Sequence, residues 1–319
     1  MKKLLSIIIC ISPWTLLISD NHPKKRLFDR EEIAAKILGR EDRKYGDHSG
    51  NRVLCRFYNQ GSIGDQSSSF SGVYPLGSGH SYIWEFSPVI AASVLDTSGN
   101  RKRIVSDGLR GLVDSSPEGT PWSFEPLAGY ANPNQENLAM SDNSSTWPST
   151  WPNKDEDWDG EWNGQYGKYV RADQESYFVM DDYYNSEYEF WPDQNDVPES
   201  STESPDDHRR GLGINLEVRG YQWNHPAAED IIIVTYWITN IGSSTLDSVV
   251  FGMYGDADVG GPSSFSDDDA WFDTENDMVY QWDHDNWSTS YGGFRPAYFG
   301  WSFLESPGNP HDGIDNDGD

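Results

Sequence analysis

The run Ile231-Ile232-Ile233-Val234-Thr235-Tyr236-Trp237-Ile238 constrains the fold more than any other stretch of the chain. Its crowd of β-branched residues favours extended backbone over helix, and Asn240-Ile241-Gly242-Ser243-Ser244 then supplies turn residues. A strand apolar nearly throughout is expected to be covered on both faces. In Leu212-Gly213-Ile214-Asn215-Leu216-Glu217-Val218-Arg219 the apolar residues instead fall on every second position, which predicts one buried face and one wet face. Two antiparallel sheets packed face to face satisfy both patterns. The expected class is therefore mainly β: an antiparallel β-sandwich with long acidic, Trp-rich loops and a short N-terminal helix.

Further strands are expected at Val53 to Tyr58, Ser81 to Phe86, Val89 to Leu95, Ser176 to Met180, Val249 to Tyr254, Met278 to Trp282 and Ala297 to Leu304, where short apolar runs are split by Gly, Pro, Ser, Asn and Asp. Residues 21–50 read as a charged leader whose one helical pattern, Arg30 to Leu38, is capped by Gly39. The sandwich is assigned to 51–311, with a loop insertion at about 107–211. That insertion carries Trp147-Pro148, Trp151-Pro152 and Trp191-Pro192, and its aromatics argue for packed loops, with a flexible tip at Pro198 to Asp207.

Lys2 and Lys3 followed by apolar Leu4 to Ile11 and Trp14 to Ile18 read as a signal peptide over residues 1–20. About fifteen mostly apolar positions, broken by Ser12 and Pro13, are short for a membrane span of roughly 20 residues. The mature chain is thus expected outside the cell, secreted or on the cell surface, with no membrane span. Its only cysteine would be Cys55, so no intrachain disulfide can form; Cys55 reads as a half-buried strand position. With 23 basic and 52 acidic residues the net charge is −29, which excludes nucleic acid and favours cations and neutral polar ligands. Without disulfides, stability must come from the aromatic core and, by inference, from bound metal.

Calcium is the expected cofactor, because three stretches alternate carboxylates at the spacing of all-oxygen cation loops. The last residues, Asp312-Gly313-Ile314-Asp315-Asn316-Asp317-Gly318-Asp319, repeat D-x-D-x-D and break off mid-motif, so the repeat is expected to continue beyond residue 319. Asp155-Glu156-Asp157-Trp158-Asp159-Gly160 opens like an EF-hand loop, yet Tyr166 stands where the closing Glu belongs. It reads either as a calcium loop or as a solvated acidic loop held by Trp158 and Trp162. Asp256-Ala257-Asp258 follows a strand, with Asp267, Asp268 and Asp269 soon after; this group could share an ion or form an ordinary acidic turn.

Enzyme signatures are thin. The seven histidines include no H-E-x-x-H pair, and Gly79-His80-Ser81-Tyr82-Ile83 lacks the second glycine of a nucleophile elbow. Acids beside aromatics match a glycosidase cleft in composition, with Glu175, Asp181, Asp182 and Glu217 as candidates. Trp147, Trp151, Trp158 and Trp162 could form a platform for extracellular polysaccharide, or simply pack the loops against the sandwich.

The stretch Thr235 to Leu246, with its I-T-N-I-G, and Val250 to Gly260, with G-M-Y-G-D-A-D-V-G, resemble a module of large secreted proteins from Bacteroidetes-type and related environmental bacteria. Ala172 to Tyr177 and Glu305 to Pro310 are similar to the same group, and the terminal acidic repeat resembles thrombospondin type 3 calcium loops. The resemblance covers about residues 75–319. It implies a multi-domain surface protein that continues into further β-sandwich modules and a type IX secretion sorting domain. The expected role is structural or adhesive, toward polysaccharide or other cell-surface proteins; the alternative is a carbohydrate-binding module or glycoside hydrolase using the Trp-rich acidic loops.

Overall fold

The computed structural model describes residues 4–11, 42–65, 70–109, 122–198 and 208–305. Strands in chain order are β1 (Leu4–Ile11), β2 (Tyr45–His48), β3 (Cys55–Tyr58), β4 (Ile83–Leu95), β5 (Arg101–Asp107), β6 (Glu125–Pro126), β7 (Ala139–Met140), β8 (Gln174–Asp181), β9 (Ile214–Gln222), β10 (Ile231–Asn240), β11 (Asp247–Ala257), β12 (Asp268–Asp273), β13 (Met278–Asp283) and β14 (Tyr298–Glu305). The largest sheet has the order β12-β13-β14-β1-β10-β9-β8-β6, with β7 also paired to β8. A second sheet runs β11-β4-β5, and β2 pairs with β3. Among the described residues every ladder is antiparallel except the two made by β1, which runs parallel to both β10 and β14. The chain is mainly β and sandwich-like, as its patterning predicts.

The main core lies where the large sheet meets the β11-β4-β5 sheet. Alternate residues of β10, Ile232, Val234 and Tyr236, are buried with Leu216 and Val218 of β9 and with Phe86 and Ile90 of β4. Phe86 packs edge-on against Phe299 and Trp301, at 5.2 and 4.8 Å between ring centroids. Such aromatic pairs add about 0.5–1.5 kcal/mol beyond their area burial. On β10's other face Ile231, Ile233 and Trp237 are only half-buried, so its second covering is partial.

The wet face expected of β9 is not wet. Asn215 and Arg219 are buried because the Trp-rich insertion folds over them as a roof: Arg219 donates to the Asn163 carbonyl and stacks over Tyr177, 3.9 Å from its ring centre. Under that roof a second apolar cluster gathers Tyr130, Ala139, Trp151, Trp162, Tyr177 and Val179, with Leu127, Trp147 and Trp158 packed on its rim. Periodicity identified which β9 residues share a face, but a polar face can also be covered by groups that hydrogen-bond it.

Several boundaries move. The strands expected at 81–86 and 89–95 are one strand, β4, running through Pro88. The Pro88 carbonyl accepts from the Gly108 amide, just past the β5 ladder, which ends at the Val89–Asp107 pair. A residue's N–H and C=O point the same way in a strand, so the donor that proline lacks would face the end of the ladder and breaks no pair. The β2 strand lies inside the expected 21–50 leader, so the packed domain begins before residue 51. Residues 4–11, read as part of a signal peptide, are a strand at the middle of the large sheet. Cys55 is fully buried rather than half-buried, and burial pushes its thiol up to about 12, which leaves it inert. The expected helix at 30–38, most of the 198–207 tip and the terminal repeat with Asp312, Asp315, Asp317 and Asp319 lie outside the described residues.

Candidate metal centre

The β12–β13 hairpin brings carboxylates together that lie far apart in sequence. Asp268 and Asp283 are register partners across it. Asp267 precedes β12 at the end of a 3-10 turn over Phe265–Asp267, and Asp285 follows β13 by two residues. Asp267, Asp283 and Asp285 each offer an oxygen within 4.8 Å of the others, the one such convergence of three among the described residues. Oxygens about 2.3–2.6 Å from a calcium ion lie up to roughly 5 Å apart across its coordination sphere, so the three fit around one ion.

The turn after β13 is wound to aim these groups. The Trp287 amide donates to Asp283 Oδ1 at 2.7 Å and to Asp285 Oδ1 at 2.8 Å. Ser264 Oγ donates to Asp283 Oδ2 at 3.2 Å, and Asn286 adopts a left-handed φ of 60° that lets the chain reverse. Asp283 is buried, while Asp267 and Asp285 are exposed at the mouth. All the converging ligands are oxygens; His284, between the two acids, turns its ring to Asp269 instead, with Nδ1 at 2.7 Å. An all-oxygen set suits a hard cation such as calcium and disfavours zinc.

Behind this triad no lysine or arginine among the described residues offsets the negative charge; the basic neighbour is His284, whose ring pKa is raised chiefly by its hydrogen bond to Asp269 and further by the charges of Asp267 and Asp285. Among the described residues no lysine or arginine forms an ion pair with Asp267, Asp268, Asp283 or Asp285. Asp268 accepts from the Val259 amide at 2.8 Å through Oδ2, and its Oδ1 is buried with no partner. Burial, then the charges of Asp283, Asp258 and Asp267, push its carboxyl up to about 7, against the opposing pull of the Val259 amide. Asp258 is pushed up to about 6 by burial and by Asp256. Burial is also the main reason the Asp283 carboxyl lies above the ordinary range.

The other acidic motifs are placed differently. Asp155, Asp157 and Asp159 are exposed around a 3-10 turn over Glu156–Trp158. They do not converge, and Asp157 pairs with Lys168 at 2.8 Å; the solvated-loop arrangement is the one observed. Asp256 sits opposite Glu85 across the β11–β4 ladder, and neither Asp256 nor Asp258 belongs to a three-carboxylate convergence among the described residues. Asp258 instead lies near enough to Asp268 to raise it. Of the acids read as a possible ion-sharing group at Asp256, Asp258 and Asp267 to Asp269, it is Asp267 that joins a three-carboxylate convergence. Asp283 and Asp285 carry the same D-x-D spacing as the acidic loops singled out from the sequence.

The Trp-rich loops offer no sugar platform at Trp151 and Trp162, which are 1% and 2% exposed and belong to the second core. Trp147 and Trp158 are partly buried against the same cluster. The acids considered for glycoside cleavage are braces. Glu175 accepts from Trp162 Nε1 at 2.7 Å and from the Arg171 and Ala172 amides. Glu217 accepts from the Tyr177 hydroxyl at 3.0 Å, and Asp181 from Arg209 at 3.2 Å. Asp182 accepts from Ser106 Oγ and the Leu212 and Ile214 amides, and burial raises its carboxyl to about 6.

Comparison with protein-family models, with curated proteins and with solved structures finds no match to this chain.

Proposed function

We propose that this is a secreted or cell-surface structural or adhesive β-sandwich protein whose acidic loops are stiffened by calcium. The observation that carries the reading is the convergence of Asp267, Asp283 and Asp285 within 4.8 Å, backed by Asp268 with an unpartnered buried oxygen. Four carboxylates with no lysine or arginine paired to them repel one another, and a divalent cation would relieve that repulsion while tying the start of β12 to the end of β13. The gain follows mass action, about 2.7 kcal/mol for one site at a hundredfold excess over the dissociation constant. The acidic repeat from Asp312 to Asp319 would offer the same chemistry. Support for the extracellular location is the charged head and apolar run of residues 1–20 together with the −29 net charge. Among the described residues no helix is long and apolar enough to cross a membrane.

The test is thermal unfolding in millimolar calcium and in chelator, with magnesium as the comparison. A calcium-specific rise in melting temperature that disappears in Asp283→Asn supports the reading, and identical melts in all three conditions reject it. The alternative of a carbohydrate-binding module or glycosidase has no observation in its favour, since its candidate tryptophans are buried or rim-packed and its candidate acids are hydrogen-bonded braces.

A further inference from the structure

The large sheet is two antiparallel ribbons joined by a single strand. On one side lie β12, β13 and β14, on the other β10, β9, β8 and β6, and β1 alone connects them. Among the described residues β1 makes both of the parallel ladders, Ser6 to Ile11 beside Ile231 to Tyr236 and Leu4 to Cys10 beside Tyr298 to Glu305. In sequence, 33 residues separate its end at Ile11 from the start of the next described strand, β2, at Tyr45 (45 − 11 − 1). Yet the same residues carry the basic head and apolar run of an export leader. Export would remove the joining strand and leave a slot one strand wide, roughly 10 Å between β10 and β14 at ordinary strand spacing. Two unpaired backbone ladders would then face each other across it, a template for strand addition.

We infer that the slot between β10 and β14 is a strand-acceptor site, filled after export by an extended apolar segment of a partner polypeptide. The register states what that segment must look like. Core-facing Ile232 and Val234 on one wall lie beside Ile7 and Ile9, and Phe299 and Trp301 on the other lie beside Leu5 and Ile7. The occupant is therefore apolar at alternate positions over six or more residues and runs parallel to β10 and β14. It lacks acidic residues, because it joins a chain of net charge −29. Main-chain hydrogen bonds to both walls supply affinity, and the alternate apolar positions supply specificity.

This inference rests on the export reading above but not on calcium, and the two fail separately. The protein is recovered from the medium of a secreting host and its N-terminus is read by intact mass. A synthetic peptide of residues 4–11 with lysine-flanked ends is then added, beside a control carrying Ile7→Pro and Ile9→Pro. The expected result is a leaderless protein that binds one peptide saturably, with hydrogen exchange at the amides of Ile232 to Tyr236 slowed at least about tenfold, and no effect of the proline control. Exported protein that retains residues 4–11, with those amides already protected, overturns the inference. So does leaderless protein that ignores the peptide or binds the proline control equally.

Discussion

Asp268 and Asp283 stand directly opposite each other on the β12–β13 hairpin, two carboxylates as register partners. Like charges placed so destabilise a ladder by about 0.2–1 kcal/mol, and here both lie partly or wholly out of solvent. Replacing Asp268 by Asn keeps an oxygen for the Val259 amide while removing one charge. In chelator, Asp268→Asn is expected to raise stability by about 0.5–1 kcal/mol, measured by urea unfolding. In calcium the same substitution should give no gain or a loss, because the ion already neutralises the pair. A variant less stable in chelator would contradict this account of the hairpin.

The same cluster sets a pH dependence. Asp268 is held up to about 7 in the folded chain, against an ordinary aspartate value of about 3.9 in the unfolded one. A carboxyl raised by folding contributes stability in its protonated form, fully present below about pH 4 and lost as pH climbs toward 7. Metal-free protein should therefore lose more stability between about pH 5 and pH 8 than Asp268→Asn does. The calcium-induced rise in melting temperature should correspondingly be larger at the higher pH. Scanning calorimetry of both proteins at the two pH values reads the difference directly.

Asp182 is a fully buried clasp. It takes hydrogen bonds from the Leu212 and Ile214 amides at 2.6 and 2.9 Å and from Ser106 Oγ at 2.8 Å. Gly211, at a φ of +65°, makes room for it: a Cβ there would lie 2.5 Å from Asp182 Oδ2. Asp182→Ala strands three buried donors at about 1–3 kcal/mol each before relaxation. A loss of roughly 3 kcal/mol in urea unfolding is expected, and Gly211→Ala should also destabilise. A neutral Asp182→Ala would mean water replaces the carboxylate without cost.

Glu175 separates the scaffold reading from the enzymatic one. A catalytic acid replaced by its amide leaves melting temperature intact and abolishes turnover. The brace seen here predicts the reverse, since the Gln amide group must face the Trp162 Nε1, Arg171 or Ala172 donors that now converge on the carboxylate. Glu175→Gln is expected to lower stability by about 1–3 kcal/mol. Reducing-sugar release from polysaccharides should be absent from both wild type and variant; release by wild type alone would revive the glycosidase.

The sequence was most legible where one physical signal dominated. The bounds of β10, Ile231–Asn240, agree with its β-branched run and the turn residues after it. β5 was missed because Arg101, Lys102 and Arg103 mask a short edge strand in which only Ile104 and Ser106 are buried. β12 was missed because Asp268 and Asp269 open it and its aromatics Trp271 and Phe272 are exposed on consecutive positions, which erases any alternation. The spacing of Asp283 and Asp285 is local, but their convergence with Asp267 depends on which residue of β12 faces which residue of β13, and no local spacing encodes that register. Regular spacing at Asp155, Asp157 and Asp159 drew attention to a loop whose turn scatters its carboxylates. The buried roof over β9 was hidden for the same reason: contacts between Arg219 and Asn163 span 56 residues.

The most direct measurement is calorimetric titration of chelator-stripped protein with calcium, run in parallel on wild type, Asp283→Asn and the Asp155→Asn/Asp157→Asn double variant. The account predicts a saturable calcium isotherm whose hairpin component is lost in Asp283→Asn and kept in the double variant. Isotherms for wild type and Asp283→Asn that superimpose would contradict it.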